Sequence, residues 1–230
     1  MASVPSPAAS AMTSVGLLKD RNSPKPQELL YARAQTQSVY ERHAGGWDRN
    51  RHKHLVERDW FDRFFARLRP AGCILDLGCG AGKPLAEFVL KSGFDLTGID
   101  YSVPMLDLAR SRYPTAEWIH GDMRDMRSLL HRHFDGIFSW DGSFHLTREE
   151  QRQLLVDIAA QLKPGGTVML TVGSWDGEVI GTVEGEPVYH SSLSPEEYQE
   201  RLDVLGFYDI NFVAEDPDCD KHSLVLATLG

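Results

Sequence analysis

Two hydrophobic rhythms alternate along this chain. Short apolar runs bounded by turn residues recur at positions 73–77, 95–99, 117–120, 136–140 and 167–172. Between them, near 84–91, 104–111, 124–131 and 148–162, apolar residues return at the three-to-four spacing of a helix. That alternation is the mark of a parallel sheet joined by crossover helices. Upstream, residues 27–43 read as one helix and 55–68 as a second, with Trp60, Phe61, Phe64 and Phe65 on its apolar side and Pro70-Ala71-Gly72 ending it. Downstream, 206–212 and 223–229 read as two further strands, an antiparallel hairpin at one sheet edge. Start and stop signals support these boundaries. Ser102 can cap a helix beginning near Pro104, and Thr147 with Glu150 and Ser194 with Glu197 form capping boxes. Lys163-Pro164-Gly165-Gly166 stops a helix before a strand. No internal repeat and no second domain are visible.

Composition narrows the picture. At 230 residues the chain fills one α/β domain. A formal charge of -9 argues against a phosphate-binding face and suits cationic ligands, although solubility explains it equally well. Cys73, Cys79 and Cys219 stand at unrelated spacings, neither a disulfide framework nor a zinc site, so a reducing, cytoplasmic setting is expected. No apolar run approaches the roughly 20 residues of a membrane span. Residues 1–26 are rich in Ser, Ala and Pro and read as a disordered tail. Lys19 is the only basic residue before Asp20, unlike an Arg-rich transit peptide.

The chemistry concentrates at the strand ends. Ile74-Leu75-Asp76-Leu77-Gly78-Cys79-Gly80-Ala81-Gly82 brings one acid and three alternate glycines out of a strand and towards a helix N-terminus. The spacing is G-x-G-x-G, not the G-x-G-x-x-G of dinucleotide folds. With Asp76 it resembles motif I of the class I S-adenosylmethionine-dependent methyltransferases, the small-molecule type in particular. The resemblance covers roughly residue 31 to the C-terminus and departs at Lys83-Pro84, where the family often has an acid or Thr. It implies an α/β, doubly wound, seven-stranded and mostly parallel sheet with an antiparallel edge hairpin, the Rossmann-like methyltransferase fold. One domain, 27–230, would comprise a helical cap (27–70), a cofactor-binding core (71–173) and an acceptor-lid insert (174–194). The cofactor would be S-adenosylmethionine and the product S-adenosylhomocysteine. Asp100, about 20 residues past the loop, stands where a carboxylate accepts from both ribose hydroxyls, a device that NAD enzymes share. The resemblance further assigns Asp122 to the adenine amino group and Met123 to its ring, with Tyr101 and Met105 on the other face. Ser139 and Trp140 end the fourth strand and are expected, with Asp76, Gly78, Cys79, Gly80 and Gly82, among the cofactor-binding residues. Tyr40-Glu41-Arg42-His43 and Trp47 look like the aromatic N-terminal element of that group, expected to close over the methionine end.

The acceptor is less defined. The chain has no Pro-Cys pair, and after the fourth strand it has Ser139-Trp140-Asp141-Gly142 where nucleic-acid amino methyltransferases carry an Asp/Asn-Pro-Pro-aromatic tetrad. A small organic acceptor is expected, with no nucleic acid and no membrane, on a monomer or homodimer. A phenol, acid or ammonium acceptor must lose a proton, and His145 is the first candidate base, followed by His190 and Tyr189. The pairs His52/His54 and His131/His133 read as solvated helix surface. Asp141 and Asp176 lack the Asp-Asn partner of a magnesium site, so no metal is expected. Three alternatives stay open: a nicotinamide-dependent reductase, a protein that binds S-adenosylmethionine without turnover, and one that uses it to assist a rearrangement.

Overall fold

The computed structural model describes residues 24–51 and 55–230. Most of the tail expected over 1–26, and the His52/His54 pair, lie outside the described residues.

The chain opens with a 25-residue helix, α1 (Pro26–Asn50), entered through Pro26, with Glu28 closing back on the Lys25 N–H at 2.8 Å. Ala32, Thr36, Tyr40, Ala44 and Trp47 recur three or four residues apart and form one inward stripe. The helix therefore runs seven residues beyond the expected end at 43. The Gly45-Gly46 pair costs a helix roughly 1 kcal/mol per residue, but Ala44 and Trp47 continue the buried stripe and outweigh it. The next helix, α2 (Arg58–Phe65), is shorter than expected and buries Trp60, Phe61 and Phe64 completely or nearly so.

Five parallel strands follow: β1 (Cys73–Leu77), β2 (Asp95–Asp100), β3 (Glu117–His120), β4 (Phe134–Ser139) and β5 (Leu162–Val172). Their crossovers are α3 (Leu85–Lys91), α4 (Val103–Arg112), a 3₁₀ turn running into α5 (Met126–Leu129), and α6 (Arg148–Gln161). After β5 come β6 (Gly177–Val183), β7 (Glu186–Ser192), α7 (Pro195–Val204), β8 (Phe207–Asp216) and β9 (His222–Leu229). The main sheet has the order β3-β2-β1-β4-β5-β9-β8, with β9 antiparallel to both β5 and β8. This is the doubly wound, seven-stranded sheet with an antiparallel edge hairpin that the sequence predicts. Strand order reverses between β1 and β4, so the ligand crevice of such sheets opens there.

Alternation along β1 divides the core. Leu75 and Leu77 face the layer under α6 and α7, whereas Ile74 faces the layer of α2, α3 and α4. In the second layer Phe61 meets Phe138 edge-on at 5.0 Å and Trp140 at 5.8 Å, contacts that add to their area burial.

Two differences from the sequence expectation matter for the site. Residues 174–194 hold a separate two-stranded sheet, β6–β7, which packs under α1. The Lys163–Gly166 stop lies inside β5 as an irregularity between the Phe134–Leu162 and Gly136–Thr167 pairs, with Gly165 left-handed (φ 76°).

Gly98, in mid-β2, tests the tightness of the second layer. A Cβ there would stand 2.5 Å from the Trp118 ring and 2.8 Å from Cys79 Sγ, and Trp118 is held by its Nε1–H donating to Tyr113 O at 3.0 Å. Gly98→Ala should destabilise by about 1–3 kcal/mol, the usual cost of overpacking. Urea unfolding checks this: the midpoint falls while the m-value stays constant.

Candidate active site

The glycine loop leaves β1 with Gly78, Gly80 and Gly82 all at positive φ (79°, 52° and 75°), a path that side chains resist. Neighbours fix its course. Gly78 N–H and Cys79 N–H both donate to Ile99 O, at 2.9 and 3.1 Å. Asp100 completes the hold, its two carboxylate oxygens accepting Gly80 N–H and Ser102 N–H at 2.8 Å each. The same Ser102 caps α4 through Met105 N–H. Burial raises the Asp100 carboxyl above its ordinary value despite these bonds. Asp76, 3 % exposed on the same rim, is pushed well up, first by burial and then by the Asp100 charge.

Around this rim the structure gathers many of the residues picked out from sequence. Trp47 of α1 lies against Gly80, with ring atoms 3.8 and 3.9 Å from where a Cβ would be. Tyr40 and Trp47 pack with Ala44, Ala81 and Met105. Met123 reaches to 3.2 Å from a Cβ built on Gly78. Tyr101 is half-buried beside Asp100, and its phenol is raised, mainly by burial. Cys79 is buried, with its thiol raised by burial and by the Asp100 and Asp76 charges.

Other picked residues serve different partners. Asp122 caps the 3₁₀ turn through Arg124 N–H at 2.9 Å and holds the Arg124 guanidinium at 2.5 and 3.0 Å. Burial alone would raise its carboxyl, but the Arg124 bonds outweigh that and lower it. Ser139 Oγ donates to Leu77 O at 2.7 Å and accepts Ser143 N–H at 3.0 Å, tying β1 to the turn after β4. Trp140 points into the aromatic core, where its buried Nε1–H has no partner among the described residues.

A second group lies where α1, the turn after β4 and β7 meet. His145 Nδ1 lies 2.8 Å from Tyr189 O, and Nε2 lies 2.9 Å from the Tyr40 hydroxyl. A carbonyl only accepts, so Nδ1 carries the proton, and Nε2 accepts from Tyr40. Burial depresses His145 to about 4. His190 packs against His145 and Phe144 with ring centroids 4.8 Å away in each case, and burial lowers it to about 3. Both imidazoles are neutral at physiological pH. Tyr189 takes part through its main chain: its carbonyl meets His145 and its N–H donates to Thr36 Oγ1 at 3.0 Å, while its hydroxyl donates to Glu178 at 2.5 Å.

Sequence reasoning missed a third group, an ionic cluster between the end of α1 and the sheet. Asp141, left-handed at φ 55°, accepts from Arg51 at 3.3 Å and from His222 Nε2 at 3.1 Å, and its own N–H donates to Thr171 Oγ1 at 2.8 Å. Arg51 also donates to Glu57 at 3.2 Å and stacks over Trp47 at 5.1 Å. His222 gives its second proton to Cys219 O at 2.8 Å, so it is an imidazolium. Burial alone would lower His222 and raise Asp141; their mutual charge and hydrogen bond win, taking His222 to about 11 and Asp141 to about 2. Only Asp141 carried any signal, as a metal candidate. Its carboxylate is committed to Arg51 and His222, and that of Asp176 to Arg148 at 2.9 Å. Among the described residues no group of three or more His, Cys, Asp or Glu is placed to hold a metal ion.

Comparison with known proteins agrees with this geometry. Residues 74–166 match the family model described as "Methyltransferase domain". A dTDP-3-amino-3,4,6-trideoxy-alpha-D-glucopyranose N,N-dimethyltransferase of Streptomyces venezuelae is 37 % identical over 114 residues, 49 % of this chain and 47 % of that protein. An O-methyltransferase of Pyrenophora dematioidea is 30 % identical over 154 residues, 61 % of this chain and 57 % of that one. The chain thus spans about half the length of the curated relatives it matches. Among solved structures, the SAM-bound amino pentose methyltransferase CalS10 of Micromonospora echinaspora superposes with a TM-score of 0.63 at 22 % identity, covering 82 % of this chain and 96 % of that one. Residues 74–166 are thus similar to a methyltransferase domain, and the sheet around them has the fold of the class I, S-adenosylmethionine-dependent methyltransferases.

The His222–Asp141 pair gives a pH test with a definite sign. His222 is raised in the folded state, so its contribution is complete below the ordinary imidazole value and is lost as pH rises from there towards about 11. Asp141 is lowered, so its contribution is lost as pH falls below the ordinary carboxylate value towards about 2. His222→Gln should cost about 3 kcal/mol near neutrality, the low end for breaking a buried pair, because Arg51 still faces Asp141. Thermal unfolding between pH 6 and 10 checks it: the gap between wild type and variant narrows as pH rises.

Proposed function

We propose that this chain binds S-adenosylmethionine at the glycine loop and transfers its methyl group to the amine of a small organic acceptor. The observation that carries the reading is Asp100 at the end of β2, clamped to Gly80 and Ser102 beneath the aromatic stripe of α1.

The residues fit such a cofactor. Each Asp100 oxygen holds one backbone N–H and keeps lone-pair capacity for a ribose hydroxyl. The backbone amides of the left-handed loop and the rim of Met105, Met123 and Tyr101 suit a nucleoside. Asp76 and Asp100 favour a cationic group beside them, since burial raises both and the Asp100 charge raises Asp76 further. The ring faces of Trp47 and Tyr40 attract a sulfonium as they do other cations. When bound, S-adenosylmethionine supplies a methyl carbon on sulfur, activated for in-line displacement. The remaining tasks of the chain are alignment and exclusion of water. Trp47 against Gly80, with Tyr40 beside it, covers the loop.

The acceptor side favours nitrogen over oxygen. Both ring nitrogens of His145 are engaged, and the Tyr40 oxygen keeps a lone pair that can take an N–H. An imidazole held near 4 is a weak base. A neutral amine brings its own lone pair, whereas a hydroxyl must first be deprotonated. Tyr40, positioned by His145, orients the amine, and His190 and Phe144 form the wall beside it. The N,N-dimethyltransferase named among the relatives supports this reading, as does the acidic balance of the chain against a nucleic-acid acceptor. The nicotinamide alternative has no support among the similar proteins described above.

Calorimetric titration tests the cofactor assignment. The protein should bind S-adenosylhomocysteine and not NADH, and Asp100→Ala should weaken that binding by roughly 1.5–3 kcal/mol, the scale of hydrogen bonds to a charged group. Binding of NADH alone would overturn the reading. Turnover tests the acceptor side. His145→Ala and Tyr40→Phe should each lower kcat by at least about tenfold, a modest loss for misplaced reacting groups, with S-adenosylhomocysteine affinity nearly unchanged. In wild type, kcat/KM should rise towards the acceptor amine's own pKa, with no inflection near the ordinary imidazole value. Such an inflection would restore His145 as a free base.

A further inference from the structure

The two halves of α1 are attached differently. The first half is fixed by buried Ala32 and Val39 and by Thr36, which takes the Tyr189 N–H. The last turn, which crosses the glycine loop, is held chiefly by charge. On one side Asp48 accepts a two-pronged bond from Arg112 of α4, at 2.5 and 2.6 Å, and Arg112 also donates to Ala81 O in the loop itself. On the other side Arg51 reaches Asp141 and Glu57, and Asp141 is backed by His222 and Thr171 of the main sheet. Between the halves stand Gly45 and Gly46, two weak helix formers in succession. One Glu57 oxygen in the second clasp is buried with no hydrogen-bond partner among the described residues.

We infer that Arg51 and Asp48 are the two latches of a gate, residues Trp47–Arg51, which swings at Gly45-Gly46 to let cofactor and product exchange at the glycine loop. The inference rests on the cofactor reading of the same site. Both are positioning residues, acting through the seating of Trp47 on Gly80. A gate differs from an ordinary contact in its kinetics. Losing a contact speeds dissociation alone, whereas unlatching a gate speeds entry and exit together.

The test uses stopped-flow binding of S-adenosylhomocysteine to the full chain, read from Trp fluorescence. Arg51→Met should raise the dissociation rate at least about tenfold, a floor well below the usual effect of breaking a buried ion pair. The association rate should rise with it, so that Kd changes less than either rate. Asp48→Asn should act in the same direction, and Arg51→Lys should recover part of the wild-type rates. Without ligand, Arg51→Met should speed amide hydrogen exchange at 47–51 and leave 32–40 unchanged. Faster dissociation with unchanged association, or unchanged exchange at 47–51, would overturn the gate. If Arg51→Met does not fold, Asp48→Asn and Arg51→Lys decide by the same rates. If wild type binds no S-adenosylhomocysteine, the cofactor reading falls, and hydrogen exchange alone decides whether Arg51 latches the turn.

Discussion

The Asp100 carboxylate accepts one N–H from the glycine loop and one from the start of α4, and the shape of the crevice follows from that clamp. Three left-handed glycines make a segment with much freedom to lose. A loop of that kind holds a ligand only if something else removes the freedom first. Ile99 O and one Asp100 oxygen do so by accepting three N–H groups of the loop, while the other Asp100 oxygen is itself fixed by Ser102 N–H. Burying the carboxylate is the cost, visible in its raised pKa and in that of Asp76 beside it. The same burial that raises both carboxyls favours a cation beside them.

The His145–Tyr40 pair solves a different problem. A histidine next to a nucleophile usually invites assignment as a base. Here the Tyr189 carbonyl fixes the proton on Nδ1, and the Tyr40 hydroxyl occupies Nε2. Burial then keeps the ring neutral well into the acid range. The dyad is thus a rigid, uncharged bracket. The Tyr40 phenol is itself raised by burial and by the charges of Tyr101, Asp141 and Asp100, so it stays protonated as well.

Much of the architecture was legible because it is written in local spacing. The strand runs, the Thr147–Glu150 and Ser194–Glu197 caps and the glycine loop each depend on residues a few positions apart, and each appears in the structure. The edge hairpin was legible for the same reason. What escaped has no local pattern. Arg51 meets Asp141 across 90 positions, and His222 meets Asp141 across 81. Nothing in Asp-Gly after a strand, or in His-Ser before one, announces an ion pair. The end of α1 was misjudged for a related reason: its last turns are held by tertiary contacts, and the local Gly45-Gly46 signal points the other way. Asp122 shows the converse. An acid at a strand end suggests a ligand contact, but Arg124 two positions on was not weighed as its partner.

The β6–β7 hairpin sets the His145 tautomer and meets Thr36 of α1 through main-chain atoms, the Tyr189 carbonyl and N–H, while the His190 ring packs on His145 and the Glu186 carboxylate pairs with Arg42 and His43. Peptide groups are the same whatever side chain they carry. The hairpin's side chains are therefore decoupled from the machinery that sets the histidine tautomer. Substitutions along it, at positions other than His190 and Glu186, can change the surface beside the His145–Tyr40 pair while leaving the hydrogen bonds of that pair unaltered. Such modularity would let one scaffold diversify across substrates by changes confined to a short ribbon.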